Sequence, residues 1–485
     1  MTDPVTDPLT DPTSGKRGAI ARGRRPPAGD RAGLAVRRAA LEILIQVDQQ
    51  SAFADVLLGN RLENELATYA PPDRRLLTRL VLGTLAWQGR LDYEIAALSS
   101  RKLDRLDPGV LAILRLGLYQ LRFLSRIPNH AAVDTSVGLA HESRATQPAA
   151  GMVNAILRRA ARDTVAMPDR AMDEVGYLAI AHSHPRWLTG KFAEWFGIEG
   201  AERLMAANNE AAPNVIRLNL ARGDRQSLID ELRRDGFEIG ANGRLPETRL
   251  PETIVLDSAP KLDSSGYRRG LFYPQSEASQ LVARMLDARP GATVVDCAAA
   301  PGGKATHLAE IVGPSGRVLA LDLNLAGLSK ARALAARLGH RNLSFIRADT
   351  AVALPLKPAS CEFVLLDAPC TGLGTLREHP EIRWRLKPGD LKRMGAVQSS
   401  MLESAAAAVR AGGVLVYAVC SLAPEEGREV IGRFLVRHRE FALDSNPPIK
   451  RLIPEAFDAD GTMLTRPDRD GDGLDGFFAA RLLRR

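Results

Sequence analysis

The sequence predicts a multidomain α and α/β chain: an all-helical bundle, then a mixed α+β segment, then a doubly wound parallel sheet. Three observations predict this. Apolar residues recur at spacings of three and four over residues 34–162, as in amphipathic helices. From about residue 291 the pattern changes to short apolar β runs separated by helices, the signature of alternating β and α units. At 485 residues, the chain is too long for one ordinary domain.

Residues 1–33 read as a tail of repeated Asp-Pro followed by Gly, Arg and Pro, without apolar periodicity. Residues 16–38 carry eight basic side chains (Lys16, Arg17, Arg22, Arg24, Arg25, Arg31, Arg37, Arg38) against one acid, Asp30, and so supply +7 of the net +8. Two readings stand for this segment: an arm that adds salt-dependent affinity for phosphates, or a solvated tail.

Residues 34–165 form the helical domain, with Leu41, Leu44, Ile45 and then Val110, Ile113, Leu114, Leu118 and Leu121 on its helix faces. Asp107-Pro108 is a helix start, with Asp as cap and Pro in the first turn. Residues 166–275 form the mixed domain, with strands at 215–220 and 253–256 and a helix at 226–234 between them. Residues 276–485 form the α/β domain, with strands at 292–295, 317–321, 343–348, 362–366, 413–419 and 477–482 and helices at 325–338, 390–410 and 424–438.

No apolar run reaches the ~18 residues of a membrane span; Arg115, Arg122 and Arg410 interrupt the nearest ones. The N-terminus has no apolar signal-peptide core. The four cysteines, Cys297, Cys361, Cys370 and Cys420, lack metal-ligand spacing. They read as reduced thiols of a cytoplasmic protein without a metal.

Ligands of open α/β sheets sit outside the carboxyl ends of the strands. The first four of these strands end at or near Asp296, Asp322, Asp349 and Asp367, and the fifth at Cys420-Ser421. One Asp after a strand is ordinarily a cap or turn residue, but four converge on one crevice here. The loop Ala298-Ala299-Ala300-Pro301-Gly302-Gly303-Lys304 lets backbone approach a ligand closely and opens a helix. Neither a P-loop nor a Gly-x-Gly-x-x-Gly fingerprint fits it. Asp322 is placed to accept from a ribose diol and Asp349 from an adenine amine. An adenosine ligand without polyphosphate suits S-adenosylmethionine.

Together, Val294-Val295-Asp296 with Ala300-Pro301-Gly302-Gly303-Lys304, Asp367-Ala368-Pro369-Cys370-Thr371-Gly372 and Cys420-Ser421 resemble the RsmB/Sun family of RNA cytosine-5 methyltransferases. His379-Pro380-Glu381-Ile382-Arg383-Trp384 and Asp475-Gly476-Phe477-Phe478 are similar to that family's pattern. The helical part resembles the RNA-binding domain of the antitermination factor NusB through Leu114-Arg115-Leu116-Gly117-Leu118-Tyr119 and Val153-Asn154-Ala155-Ile156-Leu157-Arg158-Arg159. His184-Pro185-Arg186-Trp187-Leu188, Asn208-Asn209 and Arg217-Leu218-Asn219 resemble the family's linker region.

The resemblance implies a class I, Rossmann-like methyltransferase domain with S-adenosylmethionine as cofactor. It implies that the substrate is small-subunit ribosomal RNA; a monomer is expected separately from the resemblance. By resemblance, Cys420 is the nucleophile toward cytosine, Cys370 assists release, Asp367 holds the base, and Lys304 positions donor or base. Pro424 is read as opening a helix that would lower the Cys420 thiol pKa, with Glu425 and Glu426 opposing if they lie close. The alternatives are a tRNA cytosine-5 methyltransferase and a non-catalytic RNA-binding factor. Three positions depart from the family's pattern: Ala298 where cysteine is usual, Val419 where threonine is usual, and Gly327 where arginine is common.

Overall fold

The computed structural model describes residues 28–50, 52–62, 69–240, 248–469 and 474–485. Most of the basic tail lies outside the described residues. The first helix begins at Ala28, so residues 28–33 are helix rather than tail. Arg37 and Arg38 do not belong to a free basic arm either. Arg37 donates to Gln120 Oε1 at 2.7 Å, and Arg38 pairs with Glu142. The apolar stripe of Val36, Ala40, Ile43 and Val47 is buried and pulls this part of the helix into the bundle.

Among the described residues, six further α-helices belong to the helical module: Ala54–Asn60, Pro71–Ala86, Gln88–Leu98, Pro108–Phe123, Asn129–Glu142 and Ala150–Arg162. Their stripes meet in one core around Ile43, Leu77, Leu80, Leu91, Ile95, Ile113 and Leu157. The Asp107 carboxylate accepts from the Gly109 and Val110 amides, satisfying two of the free N–H groups at the helix start.

The middle module has helices Glu174–Ala181 and Arg186–Ala207, then strands β1 (Asn214–Leu218), β2 (Thr253–Leu256) and β3 (Phe272–Pro274). The three strands pair antiparallel in the order β2-β1-β3. Helix Arg225–Arg234 packs Leu228, Ile229 and Leu232 against Ile216, Leu218 and Phe272. β3 is too short to show a period, and only its pairing with β1 defines it.

The C-terminal sheet contains β4 (Thr293–Asp296), β5 (Arg317–Asp322), β6 (Leu343–Arg347), β7 (Cys361–Asp367), β8 (Val409–Val419), β9 (Phe441–Leu443), β10 (Met463–Leu464) and β11 (Phe478–Arg484). Their order is β10-β11-β8-β7-β4-β5-β6, with β9 beside β11. β4 to β8 run parallel and β11 runs antiparallel to β8. Alternate residues enter opposite faces: Val294, Leu365 and Val416 lie in one core, Val295, Val364, Leu366 and Leu415 in the other. Burial on both faces explains the nearly continuous apolar runs. The chain leaves β4 toward β5 and β6 and returns to β7, so strand order reverses between β4 and β7.

Residues 379–385 join the modules. Arg383 is fully buried and donates to Ala86 O, Ser183 O, Asn208 O, Asn209 Oδ1 and Leu376 O. Trp384 Nε1 donates to Leu85 O at 3.0 Å, and Glu381 Oε1 accepts from the Ala54 amide at 3.0 Å. Among the described residues, one group of metal-ligand types comes together, Asp55, His379 and Glu381, and it belongs to this joint. Burial alone lowers the His379 pKa, but Asp55 outweighs it and raises the imidazole to about 9. No helix among the described residues is long and apolar enough to cross a membrane.

Candidate active site at the strand ends

The crevice lies where strand order reverses, the expected ligand position in such a sheet. At its centre β4 ends in Asp296, which is almost fully buried. Its Oδ1 accepts from the Ala298 amide at 3.3 Å, whereas Oδ2 is buried without a hydrogen-bond partner. Burial, then the charge of Asp367, push its carboxyl up to about 7.

The Ala298–Lys304 loop is tied to β5. The Ala299 amide donates to Leu321 O at 2.8 Å, and the Ala300 amide to Asp322 Oδ2 at 2.9 Å. Asp322 Oδ1 accepts from Asn324 N at 2.8 Å. Each oxygen of Asp322 thus uses one lone pair on backbone and keeps another. Asp349 lies two residues beyond β6, its Oδ1 accepting from Ala351 N at 2.9 Å. Gly302 caps the helix Gly303–Val312 at φ +111°, and a Cβ there would stand 2.8 Å from Ala331 Cα. Glycine is required at that position both for its φ and for the close approach.

Asp367 ends β7 and pairs with Lys304, Nζ to Oδ2 2.8 Å. Burial alone would lower the Lys304 pKa, but Asp367, Cys420 and Asp296 raise it, so it remains an ammonium at neutral pH. Its Nζ lies 5.1 Å from the centre of the Phe477 ring. Cys370 and Cys420, both half-buried, bring their sulfurs to 3.0 Å. Gly374 N donates to Cys420 O at 3.0 Å, and Gly476 N to Gly374 O at 2.8 Å. The Asp475–Phe478 segment thereby closes over the cysteine loop.

The helix expected to begin at Pro424 begins instead at Arg428, after turns at 424–427. The premise for a helix field on Cys420, a helix opening at Pro424, is therefore absent. The nearby cation is Lys304. Glu425 and Glu426 also separate in role: Glu425 reaches Lys191 at 3.7 Å, whereas Glu426 turns inward and is fully buried.

Several contributors were not legible as such. Arg217 of β1 is fully buried against the helix that follows the Ala298–Lys304 loop, donating to Gly303 O at 2.8 Å and Thr306 Oγ1 at 3.0 Å and pairing with Glu310. Gln398 sits on the buried side of helix Pro388–Ala408 between Leu391, Gly395 and Met401. A polar residue in that apolar stripe is the signal that would have found it. Cys297 is buried in the sheet core and Cys361 opens β7, away from the crevice.

The chain is similar to known proteins over nearly its whole length. It is 34% identical over 458 residues to a probable ribosomal RNA small subunit methyltransferase B of Bacillus subtilis, covering 93% of this chain and 99% of the relative. The corresponding protein of Thermus thermophilus is 36% identical over 453 residues, covering 92% and 97%. The model of the 16S rRNA methyltransferase RsmB/F family matches residues 283–483. This chain belongs to the RsmB/F family. In this RsmB/F chain, the NusB family model matches residues 34–162, and that of the RsmF/B-like ferredoxin-like domain matches residues 184–262. The crystal structure of PH0851 aligns with a TM-score of 0.78 at 27% identity, covering 93% of this chain and 98% of that one. All strand-end candidates, Asp296 to Cys420, fall inside the RsmB/F match.

Proposed function

We propose that this protein transfers a methyl group from S-adenosylmethionine to carbon 5 of a cytosine in 16S ribosomal RNA, through a covalent Cys420–cytosine adduct. The observation that carries the proposal is the pair of sulfurs 3.0 Å apart at the ends of β7 and β8, beside the Lys304–Asp367 pair. On this proposal the protein is a cytoplasmic monomer whose partner is RNA.

The residues present fit the cofactor. Asp322 and Asp349 keep free lone pairs at adjacent strand ends, and the buried Asp296 Oδ2 has no hydrogen-bond partner. Ala298, Ala299, Ala300, Pro301, Gly302, Gly303 and Lys304 would line it with Asp322, Asp349 and Asp367. When bound, S-adenosylmethionine would supply the electrophilic methyl group, its sulfonium sulfur keeping the electron pair of the broken bond and leaving as a thioether.

Carbon 5 of cytosine is a poor nucleophile. The Cys420 thiolate adds to carbon 6, and the electron pair of the 5,6 double bond becomes available at carbon 5 to take the methyl group. The Lys304 ammonium stabilises the thiolate before it adds, and Asp367 holds the base through its ring nitrogen or amine. The carbon-5 proton then leaves to water, its electron pair restores the double bond, and the carbon–sulfur bond breaks. Cys370 serves this exit by hydrogen-bonding to the departing Cys420 sulfur. The nucleotide must be unstacked for either sulfur to reach it.

The test uses purified 16S ribosomal RNA, tRNA and labelled S-adenosylmethionine. Cys420→Ala abolishes transfer to ribosomal RNA, and Cys370→Ala accumulates an RNA–protein adduct retarded on a denaturing gel. Label in tRNA alone would refute the substrate, and interchange of the two variants' behaviour would refute the roles.

A further inference from the structure

Beneath the two sulfurs lies an anion that the chemistry above does not use. Glu426 is fully buried, and its carboxylate collects four neutral donors. These are the Thr371 amide at 2.9 Å, the Thr371 hydroxyl, the Ser421 hydroxyl at 2.6 Å and the Gln398 amide at 2.9 Å. Its own carbonyl accepts from the Tyr417 hydroxyl at 2.5 Å. Among the described residues no Lys, Arg or His forms a salt bridge with it. A buried carboxylate without a counter-cation is costly unless its lone pairs are filled, and here they are filled by hydrogen bonds. The donors are placed tellingly: Thr371 follows Cys370, and Ser421 follows Cys420. Gln398 also donates to Pro369 O at 2.9 Å, gripping the residue before Cys370.

We propose that Glu426 is a positioning residue for methyl transfer, locking the two cysteine-bearing loops to each other so that the sulfurs hold their contact and their separate roles. The proposal rests on the reading that Cys420 attacks and Cys370 releases. One carboxylate spans both loops, so neither loop's backbone shifts relative to the other without breaking charge-assisted hydrogen bonds. Its charge also distinguishes the sulfurs. The hydrogen bond to Cys420, burial, and the charges of Cys420 and Glu426 hold the Cys370 thiol well above its ordinary value. Lys304 interacts with Cys420 instead. The negative group acting on Cys370 holds it as the thiol, the form that can donate to the Cys420 sulfur.

The test is Glu426→Gln in the full chain, assayed on 16S ribosomal RNA. The amide has the same shape but loses the charge. Its NH2 must face the Thr371 and Ser421 hydroxyls, which then turn to accept and give up their charge-assisted bonds. The expected result is a fall in kcat of roughly 100-fold, the scale for misplacing reacting groups by about 1 Å. KM for RNA and for S-adenosylmethionine should stay within about threefold. Added to Cys370→Ala, it should slow adduct formation at least about tenfold. In a Cys420→Ser background, it should move the pH profile of iodoacetamide alkylation of Cys370 to lower pH and so change alkylation at neutral pH, whereas a merely loosened loop would change the rate without moving the profile.

If Glu426→Gln does not fold, Thr371→Val combined with Ser421→Ala decides, with an expected loss in kcat of about tenfold. Wild-type kcat in either variant, an unmoved pH profile of Cys370 alkylation, or a loss confined to KM would overturn the proposal. Absence of any adduct in Cys370→Ala itself would instead refute the roles assigned to the two cysteines. Adduct formed equally with and without Glu426→Gln would refute only the role of Glu426.

Discussion

Gly327→Ala tests how tightly the Ala298–Lys304 loop, the proposed cofactor loop, is built. Gly327 is the third residue of helix Leu325–Leu338, where its amide donates to the Asn324 cap at 3.1 Å. A Cβ at this position would stand 2.6 Å from Ala300 Cβ. Carbon atoms in contact prefer about 3.5–4.0 Å, so the loop must retreat by roughly 1 Å. Ala300 cannot swing aside, because its Cβ is fixed to the backbone whose amide binds Asp322. Overpacking of this kind costs about 1–3 kcal/mol, against a helix-propensity gain of about 1 kcal/mol for Gly to Ala. The net cost is then about 1 kcal/mol, a fall in Tm of about 2–4 °C for a domain of this size. The larger effect falls on the loop: affinity for S-adenosylmethionine should drop about tenfold, equivalent to about 1.4 kcal/mol. Calorimetric titration and a thermal melt read both quantities. A variant with unchanged affinity and a raised Tm would refute the reasoning, since only the propensity gain would then have been expressed. Any side chain at position 327, the arginine common in the resembled family included, would meet the same Ala300 contact.

Two more predictions concern buried charge. Asp296 titrates at about 7 in the folded chain and near 3.9 unfolded, so the unfolded state releases its proton first. Stability is therefore lost as pH rises from about 4 to about 7, by at most roughly 4 kcal/mol. Asp296→Asn should remove that slope and raise the Tm at pH 8 more than at pH 5, while weakening cofactor binding. Equal shifts at the two pH values would contradict it. Burial lowers the Arg383 pKa to about 9, yet the guanidinium satisfies backbone carbonyls from three modules. Arg383→Met leaves those carbonyls unpaired at roughly 1 kcal/mol or more each. It should split the calorimetric transition as the helical module uncouples. A single transition at the wild-type Tm would show that the joint is held by its apolar contacts alone.

Legibility tracked locality. Helix Leu325–Leu338 and strand Thr253–Leu256 were readable to the residue, because period and flanking caps lie within one short window. β3, β9 and β10 were not: two or three residues carry no period, and partners far along the chain define them. The helix expected at Pro424 failed for a related reason. Glu426, a good helix former, is drawn inward by Thr371, Ser421 and Gln398, and the turn that permits this delays the helix to Arg428.

By itself the sequence determined that four strands end at or near aspartate, that cysteines follow the fourth and end the fifth, and that a glycine loop opens the domain. These are properties of residue type and position along one strand. Tertiary structure decided which of them touch. It set Lys304 on Asp367, brought the two sulfurs to 3.0 Å, and left one oxygen of Asp296 unpartnered. It also placed Glu426 beneath both cysteine loops and Arg383 between three modules. The physical reason is that pairing energies of buried polar groups depend on distance and on the absence of water. Both are set by how separate segments pack rather than by any local pattern.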